Sequence, residues 1–319
     1  MGSSKRLLDR AAEGWHSRGC QPFVLPFYWK VLLGRIYLLQ GKTTKETEME
    51  TQEIITSTMF DFEDGNGAVP AHRHPNGGGW VADTAKVEDT AYVGPDALVY
   101  GQSKVKDQAK VFGEAIIKGE AEVFGNALVY GEAKVYNNAK VYGESEVYGN
   151  AEVYDRAKVC RDARVYGESW VYGESWVYGQ AEVYGQAEVY GKARVYGQAR
   201  VYGQARVFDD GQVYDRAKVY GNARVFDEAV VFGEALVYGE SDVFGYASVH
   251  GHAEVYEVGE VSDYSEITDH AKVYGRARIS GYAVVHENAQ VCGRIKVCDH
   301  AEVGDFSLEI DITDPAPDE

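Results

Sequence analysis

The chain has little of what usually announces a site or a compartment. Four cysteines, Cys20, Cys160, Cys292 and Cys298, in 319 residues are too few for a disulfide scaffold. Basic side chains are outnumbered 32 to 50, for a formal charge of −18. That balance argues against nucleic acid as a partner, because such binding needs a basic footprint. Clean apolar runs are also missing. The best candidate, Pro22–Gln40, is broken by Lys30 and Arg35. It falls short of the roughly 20 apolar residues a spanning helix wants, and no small-residue cleavage site follows it. Residues 22–40 are therefore expected to be amphipathic or to precede the true start at Met49, with a signal anchor as the one membrane alternative. Residues 1–48 carry eight basic against four acidic side chains, which leaves −22 on the remainder and sets them apart as an N-terminal extension.

What the chain has in excess is a period. From Val81 to Val303 every sixth residue is Val or Ile, 38 positions without a slip, and only Ile117, Ile267 and Ile279 are not Val. Calling this residue i, position i−2 is Ala in 28 units, Ser in 6, Gly in 3 and Ile295 once. Small-x-Val alternation is strand periodicity, with both residues on one face. Position i+2 is Gly, Asp or Asn in 34 units, the exceptions being Pro95, Arg161, Glu257 and Glu287. These residue types accept the positive φ of tight corners. Each unit thus predicts about four residues of strand and two of corner; dense β-branched Val and a turn former in almost every unit exclude helix.

Strands this short must stack on copies of themselves, and a fixed short period marks a solenoid. Three sides of six residues close a triangular coil of 18. Residues 79–306 then form about 12–13 coils, after a cap at 49–78 and before an acidic, proline-bearing tail at 307–319 whose start is expected to add a short strand. The competing arrangement, a flat meander of small hairpins, would leave a Val or a Tyr face in water.

The unit A-x-V-Y-G-x, as in AEVYGQ AEVYGK ARVYGQ, resembles the hexapeptide repeat of left-handed parallel β-helices, the fold of many acyltransferases. The resemblance implies an all-β, single-stranded, left-handed parallel β-helix over residues 79–306. The segment FDFEDGNGAVPAHRHPNGGGWV (residues 60–81) further resembles the start of bacterial and phage-associated proteins with A-x-V-Y-G-N repeats, which supply no catalytic residues to carry over.

Function must sit on the outward positions. Position i+1 is mostly aromatic, and residues 18 apart should stack. One column runs Phe112, Tyr130, Tyr148, Tyr166, Tyr184, Tyr202, Tyr220, Tyr238, Tyr256 and Tyr274; a second runs Tyr136, Tyr154, Tyr172, Tyr190, Phe208, Phe226 and Phe244. The eight tyrosines from Tyr130 to Tyr256 are the candidate binding surface, for self-association, a protein partner or a glycan; coil-to-coil stabilisation is the structural alternative. Position i−1 carries charge of mixed sign, suited to cross-strand pairing. Trp170 and Trp176 fall on different faces.

Histidines break the monotony near the C-terminus. His252 and His270 should stack at one corner, and His250 and His286 share a column around Thr268. A general base, at His252 or His270, or a metal site is the chemical reading of the cluster; His standing in for Tyr or Asn on a worn repeat is the plain one. The pair His72 and His74 lacks further ligands at metal spacing, so a polar loop and no metal are expected. No two of Cys160, Cys292 and Cys298 are 18 apart, so free thiols and a cytoplasmic, reducing compartment are expected. The leading expectation is a non-enzymatic scaffold, self-associating through its ends or its Tyr faces and needing no cofactor. An acyl-CoA-dependent acyltransferase and a glycan-binding ladder are the alternatives.

Overall fold

The computed structural model describes residues 58–305, 307 and 308. The expectations for the 1–48 extension, the apolar stretch 22–40, Cys20 and most of the acidic tail lie outside these residues. The described chain is all-β, with two antiparallel strands followed by parallel strands wound into three sheets. The first sheet has 15 strands, two of them the antiparallel pair, and the other two have 13 each, so there are 13 coils. Strand partners are 18 residues apart, as in Lys134↔Glu152 and Val135↔Val153. Rings on successive coils are 4.8 Å apart, which gives a stack roughly 60 Å long.

The core follows from the period. Val or Ile at position i is buried on every coil except at Val87, and Ala at i−2 fills the space between. Burial stabilises each Val side chain by about 1.5–3 kcal/mol before chain entropy is subtracted. The six Ser that replace Ala are buried too. Each satisfies its hydroxyl by donating to the carbonyl three residues back, as Ser103 does to Tyr100 (2.8 Å) and Ser175 to Tyr172 (2.8 Å).

The paired strands are shorter than the four residues expected. Most contain only i−1 and i, and four-residue strands occur at Glu122–Gly125, Lys140–Gly143 and Lys158–Arg161. The reason is the corner. From residue 101 to 305 every i+2 residue has positive φ, including Arg161 (61°), Glu257 (58°) and Glu287 (58°), three of the sequence exceptions. Acidic corners also accept a hydrogen bond from the next coil: the Gly125 amide donates to Asp107 Oδ2 (2.9 Å) and the Gly281 amide to Asp263 Oδ2 (2.9 Å). This explains why Asp tolerates a conformation that suits Gly. Backbone bonding between coils continues around the corners, as from the Gln102 amide to the Gly119 carbonyl (2.7 Å).

At the N-terminal end, β1 (Thr58–Phe60) and β2 (Val69–Arg73) pair antiparallel and lie against β3 (Trp80–Ala82), the first strand of the first face. Phe60 stacks on Trp80 (4.2 Å) and Phe62 on Tyr100 (4.8 Å). A loop covers the third face, where the Val93 amide donates to the Asn76 carbonyl (3.0 Å) and Asn76 Nδ2 to the Ala91 carbonyl (2.8 Å). Two of three sheet edges are thereby occupied. The expected polar loop at His72 and His74 is instead a strand end: His72 lies in β2 with Nδ1 2.8 Å from Asp83, and His74 is buried. At the other end Ser307–Leu308 pairs with Gln290–Val291, 17 residues back rather than 18, and Leu308 takes the Val position.

Candidate functional site

The tyrosine column forms as the spacing requires. From Phe112 to Tyr274 ten rings stack in succession, with centroids 4.8–5.0 Å apart and planes within 4°. Tyr130, Tyr148, Tyr166, Tyr184, Tyr202, Tyr220, Tyr238 and Tyr256 all lie in it, half-buried rather than standing free. Each ring face is closed by the next ring, so the column offers solvent only ring edges. Some hydroxyls are tied down as well: Tyr130 donates to Glu146 (3.2 Å) and Tyr238 to Glu254 (3.1 Å), and in the second column Tyr136 donates to Glu152 (2.8 Å). Burial, and then the Glu146 carboxylate, push the Tyr130 hydroxyl up to about 12. Burial raises Tyr148, Tyr184, Tyr202, Tyr220 and Tyr256 in the same direction.

The third i+1 column is interrupted. It reads Phe124, Tyr142, Cys160, Tyr178, Tyr196, Tyr214, Phe232, His250, Thr268, His286. His250 stacks on Phe232 at 4.6 Å and sets Nε2 2.7 Å from Glu266, and His286 sets Nε2 3.2 Å from Glu302. Both pairs are 16 residues apart, as are Tyr130 and Glu146, so these histidines reuse the tyrosine arrangement. Thr268 Oγ1 lies 3.1 Å from His250 Nδ1. Where Cys160 replaces a ring, the thiol is only 5% exposed, and Arg161 reaches over the Tyr178 ring at 5.7 Å.

His252 and His270 are brought together, ring centroids 4.9 Å apart and 2° from parallel, with His252 Nδ1 3.5 Å from Glu234. Among the described residues no group of three His, Cys, Asp or Glu side chains is placed to hold a metal ion. Cys160, Cys292 and Cys298 are free thiols. Trp170 and Trp176 occupy the first and second faces, as expected.

A more exposed ladder lies at a corner. Tyr246, Tyr264 and Tyr282, at position i+3, are 50%, 53% and 54% exposed and stack at 4.8 and 5.0 Å, with His300 next at 5.0 Å. Their 18-residue spacing was legible in the sequence; attention to position i+1 alone passes over it. The i−1 columns of the first and third faces carry charges of both signs, and opposite neighbours pair, as in Arg206–Glu188 (3.3 Å), Arg200–Glu182 (3.3 Å) and Lys272–Glu254 (3.0 Å), although like charges also meet, as at Arg206 and Arg224. Pairs this exposed contribute little individually.

These features define a β-solenoid repeat protein with aromatic ladders along its faces. Residues 271–287, about one coil, match the family model described as the YdcK β-solenoid repeat. No curated protein matches the chain. Among the described residues no helix is long and apolar enough to cross a membrane.

Proposed function

We propose that the protein is a non-enzymatic scaffold, a left-handed rod of hexapeptide units whose lateral faces meet its partners. The observation that carries this reading is the unbroken 18-residue register, with one side-chain partnership recurring at several positions, as in Tyr130–Glu146, Tyr172–Glu188 and His250–Glu266. A repeat array of this kind sets length and spacing, because each coil contacts only its neighbours. The N-terminal hairpin and the Asn76 loop occupy two sheet edges at that end, so self-association runs through the sides of the rod. Free thiols suit a reducing compartment, and we place the protein in the cytoplasm. Light scattering after size-exclusion chromatography, with negative-stain images of the same peak, tests this. Rods that associate laterally with rising concentration are expected; a globular particle, or association confined to rod ends, would overturn the reading.

A second reading rests on the stacked pair His252–His270 beside Glu234: an acyltransferase using acyl-CoA, with one of these imidazoles as base. Fold analogy alone does not establish it. Turnover of an acyl-CoA donor that disappears in His252→Ala or His270→Ala would replace the scaffold reading with this one. The glycan reading of the Tyr130–Tyr256 ladder is weakened by its geometry, since a sugar stacks on an open ring face and the ladder closes its faces.

A further inference from the structure

The second face gathers cations over its first coils. Its i−1 column begins Lys86, Lys104, Glu122, Lys140, Lys158, Trp176, Arg194. Lys86 lies in register over Lys104, and Lys140 over Lys158. Like charges directly opposite one another on a sheet destabilise it. One carboxylate serves several lysines here: Glu122 is 2.8 Å from Lys104, 3.8 Å from Lys106 and 3.7 Å from Lys140. Lys104 holds the Glu122 carboxyl below its usual range.

Farther along, the neighbouring corner column adds Arg156 and Lys192, and a groove of about 570 Å³ opens around Trp176. Five cations line it against Glu174, which is engaged by Arg156 at 3.0 Å. Lys158 lies 4.1 Å over the Trp176 ring, and Trp176 remains 40% exposed. Among the described residues no other aromatic ring lies parallel on Trp176; its ring neighbour there, Tyr178, meets it edge-on at 6.3 Å. A basic stripe roughly 30 Å long thus runs along one face of a chain whose net charge is −18.

We propose that this stripe, centred on Trp176, is a binding site for an acidic polysaccharide with one carboxylate per ring. The cations recur about once per coil, at the 4.8 Å step that the ring spacing records, a distance close to the advance of one pyranose unit. Lys140 and Lys158 then meet successive carboxylates, the indole face that Lys158 leaves open takes the apolar face of a sugar ring, and Arg194 meets a carboxylate two coils beyond Lys158. A nucleic acid fits less well: its denser phosphate charge would meet the carboxylates of the flanking faces. The site stands independently of the scaffold reading, since it needs only the second face.

The test is calorimetric titration of the full chain with polygalacturonate oligomers, with dextran of equal length and single-stranded oligothymidine alongside. Binding that weakens as salt rises is expected with polygalacturonate and none with dextran. Lys158→Glu and Trp176→Ala should each weaken it by about tenfold or more, Lys158→Arg should retain it, and Arg206→Glu on the first face should leave it unchanged. If Lys158→Glu melts at a lower temperature than the native chain, Lys158→Gln replaces it with the same expected loss. No binding at low salt, an equal loss in Arg206→Glu, or tighter binding of oligothymidine would each overturn the assignment.

Discussion

Replacing Gly by Ala ordinarily stabilises a folded protein by about 0.4–1 kcal/mol, because the unfolded chain loses freedom. At Gly203 the sign should reverse. Its φ is +74°, where an L-residue costs roughly 1–2 kcal/mol. A Cβ there would lie 3.0 Å from the Gly221 amide nitrogen and 3.1 Å from its carbonyl oxygen, both backbone atoms of the next coil. No side-chain rotation relieves that contact, and the Gln204 amide, bonded to the same Gly221 carbonyl at 2.7 Å, resists the shift. Setting the unfolded-state gain against the backbone cost and a crowded contact of similar size leaves Gly203→Ala destabilising by about 1–2 kcal/mol. For a domain of this size that lowers the melting temperature by about 2–8 °C. Gly203→Asn should cost about half as much, since Asn137 already holds a φ of 57° in a corner. Differential scanning calorimetry of the three proteins at one scan rate reads the order directly. A Gly203→Ala protein that melts at or above the native temperature would refute the assignment of strain to this corner.

Three further outcomes follow from the packing. Val195→Ala opens a cavity in a fully buried position and should cost about 2–3 kcal/mol, measured by denaturant unfolding, whereas Val87→Ala at the partly exposed first coil should cost clearly less; equal losses would contradict the graded core. Thr268→Tyr places a ring between His250 and His286 and should stabilise by about 0.5–1.5 kcal/mol; a lowered melting temperature would show that the column cannot accept it. Alkali should unfold the rod: burial holds the ladder hydroxyls above their ordinary value of 10.0, Tyr166 at about 12, so the folded state keeps protons that the unfolded state releases. That stability is complete below pH 10 and lost as pH rises through about 12, and tyrosinate absorbance should rise together with loss of circular dichroism. Tyrosines that titrate near 10 with the fold intact would contradict it.

The period by itself determined the fold class, because Val at every sixth position and a small residue two before it leave one way to bury both: three sides, 18 residues to a coil. It also determined which residues stack, since a strict register makes Tyr130 the neighbour of Tyr148 and His252 the neighbour of His270 before any coordinates exist. What a column does was not legible in this way. Whether Tyr130 stands free or lies half-buried with its hydroxyl on Glu146 depends on how the i+1 side chain folds back across the next coil, and only the packed coils decide that. The same holds for the open faces. Lys140, Lys158, Arg156, Lys192 and Trp176 are scattered over more than fifty residues between charges of both signs, and their convergence in one groove needs two adjacent columns and the corner between them. The N-terminal hairpin was equally hidden, because β1 and β2 lie outside the six-residue pattern and owe their place to the unpaired sheet edge they cover. Periodicity encodes what repeats along the axis, whereas the charge balance of a face and the closure of an end arise from contacts that the repeat does not contain.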